Sequence, residues 1–448
     1  MNEQRKPNIG IKGLIVAGLT LALLIPTFLI NNLVRERETR QGEAFKEISS
    51  KWAETQTIAG PLVSVPYIEY FKDTSGTVKK FRKFIHILPD QLNIDGNISP
   101  EKRSRGIFET VVYKSSLTFK GSFSNLLHAT AEIPRENILF DQAFISVGIT
   151  DLRGIEENVQ LKWNGAPYLF NSGVETTDIL EIGINSPVKI NTSDTGNDVV
   201  DFSFNLNLNG SQFLYFTPVG KETNVNINSN WKTPSFSGSF LPDKRTITES
   251  GFKANWKVLH LNRNYPQTWL NSAYSVNSSS FGINLILPID NYTKADRSIK
   301  YAILIIGLTF LIFFFLELIN NKSVHPLQYI LIGFALCIFY ILLLSISEHL
   351  NYNISYLIAS IMTIGLIAWY SISILKDKKL AALIAGNLII LYGFIFCLIQ
   401  LEDFALLMGS IGLFIILALV MFFSKKIDWA GFSNRQNTNT NDLKKGAD

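Results

Sequence analysis

Cysteine, histidine and charge are all scarce in this chain. Its two cysteines, Cys337 and Cys397, both lie in apolar runs, and residues 34 to 298 contain none. That excludes a disulfide framework and any zinc-type or redox spacing. A globular segment of roughly 265 residues buries a core without such staples. His86, His128 and His260 are scattered among strand-like residues, and no metal-ligand spacing joins them. No His-Glu-x-x-His, Gly-x-Ser-x-Gly or P-loop occurs. The expectation is therefore no enzyme, with no catalytic residue, cofactor or metal. Charged residues are 17% of the chain, against about 25% in soluble domains. The net charge is +4, and no long basic run points to nucleic acid.

The shortage of charge is local. Residues 34 to 298 have the composition of a soluble domain, whereas residues 299 to 423 are almost wholly apolar. Six runs reach the roughly 20 residues that a span needs: 13–34, 299–319, 327–347, 354–375, 380–399 and 404–423. No small-residue cleavage site follows the first, so it reads as an uncleaved signal anchor, with Pro26 expected to kink it. Lys322, the trio Lys376, Lys378 and Lys379, and the pair Lys425 and Lys426 fall on one side of the spans. Loops 348–353 and 400–403 hold no Lys or Arg and fall on the other. Basic loops stay in the cytoplasm. The expected layout is a cytoplasmic N-terminus (1–12), the anchor (13–34), an outer domain (35–298), five spans (299–423) and a cytoplasmic tail (424–448).

The outer domain reads as mostly β. It opens with a polar stretch in which Ala44, Ile48 and Trp52 recur at helical spacing. Gly60 and Pro61 are expected to end that helix, and Val63, Val65 and Tyr67 then alternate as a strand. Period two is clearest at Phe202, Phe204, Leu206 and Leu208. Asn209-Gly210 predicts a hairpin turn, with "FLYF" as the returning strand. Short strands punctuated by Gly, Asn and Pro predict a sandwich or a large twisted sheet. The fold class is thus an α+β membrane protein. Six transmembrane helices, one N-terminal and five C-terminal, flank a large β-rich domain.

Four residues are candidates for a functional or structural anchor: Glu317, His325, Glu348 and His349. Glu317 is an ionisable group near the inner end of the second span. His325 opens the third. Glu348 and His349 stand side by side where that span meets the outer face. An adjacent acid and imidazole suit metal binding or pH sensing. Polar residues also simply mark span ends, and the reading adopted is structural. Asn387, within the fifth span, is expected to hydrogen-bond between helices.

The chain resembles the CreD family of bacterial inner-membrane proteins. The resemblance rests on "LLIPTFLINNLVRERE", "GPLVSVPY", "ITDLRGI", "WNG", "FTPVGKETNVNINSNWKTPSFSGSFLP", "FKANW", "FGINLILPIDNYTKADRSIKYAIL" and "VHPLQYILIGFALCIFYILLLSISEHL". It covers nearly the whole length, leaving aside the tail after Trp429. It implies an inner-membrane location, expression tied to envelope or antibiotic stress, and effects on envelope integrity and colicin tolerance. The expected partners are the lipid bilayer and an envelope protein or lipid. A transporter or lipid-handling protein would instead need a polar cavity between the spans. An enzyme acting on envelope polymers would need a polar cleft with converging acids or histidines.

Overall fold

The first apolar run folds as α1 (Ile9–Ala22) and α2 (Leu24–Trp52). The break at Leu23 lies three residues before Pro26. Pro26 has no N–H to give to the Ala22 carbonyl, and the next bond, from Thr27 N–H to the Leu23 carbonyl, stretches to 3.4 Å. Past the apolar segment α2 stays helical on polar residues, supported by the i,i+4 pairs Glu36–Arg40 and Glu47–Lys51.

The computed structural model describes residues 9–72, 77–190, 199–285, 291–320, 322–401 and 404–425. Most of the expected terminal segments (1–8 and 426–448), and Glu402 and Asp403 of loop 400–403, lie outside the described residues. The chain divides into one unit of residues 1–40 and 289–448 and a second of residues 41–288.

In the first unit α1 is joined by α3 (Asn291–Lys300), α4 (Ala302–Ile319), α5 (Pro326–Ser347), α6 (Tyr352–Leu375), α7 (Lys378–Gln400) and α8 (Ala405–Ser424). Among the described residues six helices, with α1 and α2 counted together, are long and apolar enough to cross a membrane. Helix α1 packs on α4 and α5, α5 on α6, α6 on α7, and α7 on α4 and α8. Gly333 admits the Leu23 side chain against α5, and a Cβ there would collide with it. Most of α8 presents exposed apolar side chains, the surface that lipid covers.

Hydropathy placed the start of the second span at 299 and left 291–298 in the outer domain. The structure makes those residues a separate amphipathic helix, α3, which packs with the spans. Tyr292, Ala295, Ser298 and Ile299 are buried, and Lys300 pairs with Asp296 at 2.7 Å. A hydropathy window averages over such a helix, so only the apolar part registers.

The second unit holds seventeen strands among its described residues. They are β1 (Gln56–Lys72), β2 (Val78–Ile87), β3 (Gln91–Arg105), β4 (Phe108–Ser124), β5 (Phe144–Ile149), β6 (Gln160–Trp163), β7 (Ala166–Leu169), β8 (Asn171–Ser172) and β9 (Gly183–Pro187). Then come β10 (Val199–Ser211), β11 (Phe213–Thr217), β12 (Glu222–Ser229), β13 (Pro234–Gly238), β14 (Lys244–Thr248), β15 (Gly251–Leu259), β16 (Thr268–Leu270) and β17 (Phe281–Leu285). One sheet runs β13-β17-β11-β1-β5-β9-β8, with β2 added to β1 and β16 to β2. The other runs β14-β15-β12-β3-β4-β10-β6-β7. A single apolar core contains side chains of both sheets, including Ile58, Val63, Phe119, Phe204, Leu206 and Phe216. Phe119 and Phe204 stack at 4.6 Å between centroids. This is a β-sandwich.

Two expectations fail in this unit. Gly60 and Pro61 do not end the helix. It stops at Trp52, and β1 has begun by Gln56. Both residues sit inside β1, where the pairing with β5 shifts register between Ala59 and Leu62, a place where a sheet tolerates proline. Asn209-Gly210 is not a hairpin turn either. Strand β10 runs straight through it, paired with β4 as far as Ser211–Val112. The chain turns at Gln212, at φ 62°, and passes into the other sheet. There "FLYF" pairs with β1 and β17, not with β10. The period-two reading of β10 itself holds: Phe202, Phe204, Leu206 and Leu208 are all buried.

Candidate functional site

Glu317 lies deeper than its position near a span end implies. Its side chain is 5% exposed and forms an ion pair with Lys12 of α1. It also accepts Val324 N–H at 3.0 Å and the Tyr329 hydroxyl at 3.2 Å. The stretch "VHPLQY" builds this arrangement. His325 is the N-cap of α5: its Nδ1 accepts Leu327 N–H at 3.2 Å, and its own N–H donates to Gln328 Oε1 at 2.9 Å. Pro326 takes the first helical position, where no N–H is missed. His325 is thus a capping residue with an exposed ring.

At the other end of α5, Glu348 is the C-cap residue. Its carboxylate accepts the Tyr292 hydroxyl at 3.3 Å and faces Arg37 Nε at 3.6 Å. Asn291 Nδ2 donates to the Ser347 carbonyl at 2.8 Å. Ser298 Oγ and the Tyr352 hydroxyl lie 2.6 Å apart. Helix α3 thereby ties down the ends of α5 and α6. His349 is exposed, and its backbone N–H bonds to the Ile346 carbonyl at 3.0 Å. Glu348 and His349 therefore do not converge. Adjacent helical residues point about 100° apart, and only the carboxylate turns inward.

The four candidates thus gather around the two ends of α5, with Glu317 reaching its start from α4. Each carboxylate meets a cation of the first span, Lys12 or Arg37, which are 25 positions apart (37 − 12). At 1.5 Å per residue that is about 37 Å, close to a bilayer with its interfaces. Sequence reasoning missed Lys12, Arg37, Tyr292 and Tyr329. The available signal was a lone acid in one span and a lysine at matching depth in another. Asn387 is half-buried and makes no interhelical hydrogen bond among the described residues.

In the second unit His86 is wholly buried. Ser64 Oγ lies 2.9 Å from its Nδ1 and Asp178 Oδ2 3.1 Å from its Nε2. Phe84 stacks on the ring and Trp269 tilts against it. Burial pushes the imidazole pKa down, and Asp178 offsets only part of that. Ser64 is also wholly buried, so its hydroxyl is enclosed. His128 and His260 belong to separate short 3-10 turns. Among the described residues no three metal-binding side chains cluster.

The "ITDLRGI" stretch locks the junction where α2 gives way to β1. Asp151 accepts Glu54 N–H at 2.9 Å, and Gln56 Nε2 donates to the Asp151 and Asn209 carbonyls. Arg153 reaches the Ser50 carbonyl at 2.7 Å. Burial pushes the Asp151 carboxyl up, but the bonds from Arg153 and from the Glu54 and Arg153 N–H groups outweigh it and hold the pKa low. These groups stabilise a joint.

An open concavity of about 470 Å³ lies on the second sheet. Gln91, Asn93, Lys120, Ser122, Lys162, Asp201 and Ser203 line it. Strand pairing sets Asn93 beside Lys120, and Ser203 between Lys120 and Lys162. Period two, which buries Phe202 and Phe204, necessarily turns Asp201 and Ser203 outward.

Residues 8–430 match the family described as Inner membrane protein CreD. The chain is 34% identical over 421 residues to Inner membrane protein CreD of Escherichia coli (strain K12), covering 93% of this chain and 92% of that one. A solved M1 zinc metallopeptidase of Deinococcus radiodurans overlaps 38% of each chain at 7% identity with a TM-score of 0.17, a likeness that carries no argument. With six apolar helices and a match along nearly its whole length, this chain belongs to the CreD family of multi-pass inner-membrane proteins.

Proposed function

We propose that this protein supports envelope integrity and the response to envelope stress by binding an envelope component through its β-sandwich. In this reading the sandwich is periplasmic, both termini are cytoplasmic, and the protein performs no chemical turnover. One observation carries it. Glu317, the only acid within α4 to α8, is fully engaged by Lys12, Val324 and Tyr329. A transport pathway needs ionisable groups facing a cavity, whereas this one holds helices together. The groove of the second sheet offers instead an open set of amides, hydroxyls, two lysines and the Asp201 carboxylate, suited to hydrogen-bonding recognition.

The test replaces Lys120 and Lys162 together with glutamate, in cells lacking the native protein. Both face out from the sheet, so the variant is expected to fold and insert normally, yet fail to restore survival under envelope stress. Survival equal to wild type at equal protein level would sink the groove as the working surface.

A further inference from the structure

The far end of the hairpin formed by β1 and β2 leaves the sandwich. Register pairs Ile68 with Arg82, Glu69 with Phe81, Tyr70 with Lys80, Phe71 with Lys79 and Lys72 with Val78. Among the described residues no third strand joins these pairs. Strand β16 pairs β2 only at Ile85–Ile87, and β5 leaves β1 at Ser64. An isolated two-stranded ribbon is marginal in water, so its side chains decide what it is for. Phe71, Val78, Tyr70 and Phe81 are 58, 57, 52 and 46% exposed. Large apolar side chains gathered on one exposed element mark a contact surface more often than ordinary solvent exposure does.

The charge on the same element is one-sided. Lys72, Lys79, Lys80, Arg82 and Lys83 stand against Glu69 alone among the described arm residues. Lys83 takes up that Glu69 at 2.5 Å. Lys80 lies 5.5 Å over the Tyr70 ring, and Arg82 the same distance over Phe84, so the cations cover aromatic faces while keeping their heads in water. Aromatic rings interleaved with lysines are the chemistry of a membrane interface: the rings settle at headgroup depth and the cations meet anionic headgroups. A polyanion free in solution would use the charges and leave the apolar side chains in water. By chain connectivity this unit is joined at both ends to membrane spans, which keeps lipid at high effective concentration.

We propose that the β1–β2 arm is a lipid-docking element that inserts Phe71, Tyr70, Val78 and Phe81 into the headgroup layer of an anionic bilayer. The proposal is independent of the groove.

The test uses the full chain with both native cysteines replaced by alanine and Val78→Cys carrying an environment-sensitive fluorophore. It is reconstituted in nanodiscs with or without phosphatidylglycerol. Phosphatidylglycerol discs are expected to give blue-shifted emission that spin-labelled lipid quenches, and pure phosphatidylcholine discs a water-like signal. Lys72→Gln with Lys80→Gln should lower the docked-to-free ratio by about 30-fold, at about 1 kcal/mol for each lysine near an anionic surface. Phe71→Ser with Phe81→Ser should also return the signal to water-like, with unchanged tryptophan melting. Water-like emission in phosphatidylglycerol discs overturns the proposal. So does a shift that appears only on adding dextran sulfate, which would reassign the arm to a soluble polyanion.

Discussion

Glu317 and His86 are buried ionisable groups kept in opposite ways. Glu317 is paired with Lys12, and two further donors fill its oxygens. Removing one partner of such a pair leaves a charge stranded and costs about 3 to 5 kcal/mol, whereas replacing both with apolar residues is close to neutral. Lys12→Met is therefore expected to lower the thermal stability of the purified protein sharply, and Lys12→Met with Glu317→Leu to recover most of it. A double variant no better than the single would show that the pair does not act as a unit. His86 is kept neutral. Below about pH 6.5 an unfolded chain protonates its imidazole, while burial among Phe84, Trp269 and Ser64 holds the folded pKa lower despite Asp178. Between those two values the unfolded state binds the extra proton. The stabilisation is thus fully present above pH 6.5 and lost as pH falls below it. Wild-type melting temperature is expected to drop between pH 7.5 and 5, and that of His86→Gln to drop less. Equal slopes would reject the assignment. Neither partnership was read from the sequence. Lys12 and Glu317 are 305 residues apart, and Asp178 lies in a loop with no periodicity.

Strands and helices were read as well as their local pattern allowed. Period two found β10 because one of its faces is core and the other is wet. The same residues misled at Asn209-Gly210, where the glycine serves packing and not a turn. A Cβ on Gly210 would run into the Tyr113 phenol, whose hydroxyl donates to the Phe213 carbonyl at 2.8 Å across the corner. Turn chemistry and close approach both select glycine, and one sequence does not separate them. Gly42, exposed in mid-α2 with open space around it, is the contrast. Gly210→Ala is expected to destabilise by about 1 to 3 kcal/mol through overpacking. Gly42→Ala should stabilise by about 0.5 to 1 kcal/mol, the helix-propensity difference. Chemical denaturation of the two variants checks the opposite signs. A neutral Gly210→Ala would mean that the corner at Gln212 relaxes freely.

The direction in which the chain threads the membrane rests on charge distributed over its whole length. The charges flanking the first span do not by themselves orient it, since Arg35, Arg37 and Arg40 nearly balance the basic residues before it, and the expected orientation rests on the C-terminal loops. The ion pairs relate its two ends to the ends of the other spans. Lys12 meets Glu317 at the end of α4 that leads to Lys322, and Arg37 meets Glu348 at the opposite end of α5. The start of the first span therefore shares a side with the basic connections at 322 and at 376–379, while 348–351 shares a side with Arg37. Together with the rule that basic loops stay in the cytoplasm, this supports the proposal that the β-sandwich is periplasmic. Single cysteines at Lys232, in the sandwich, and at Lys378, where α7 begins, test the assignment in a chain lacking Cys337 and Cys397. Both positions are exposed, so reactivity is set by compartment and not by burial. Cells with a permeabilised outer membrane are treated with an impermeant maleimide. Lys232→Cys is expected to label in intact spheroplasts, and Lys378→Cys only after the inner membrane is lysed. Labelling of residue 378 before lysis, with residue 232 protected, would invert the topology and place the groove and the β1–β2 arm in the cytoplasm.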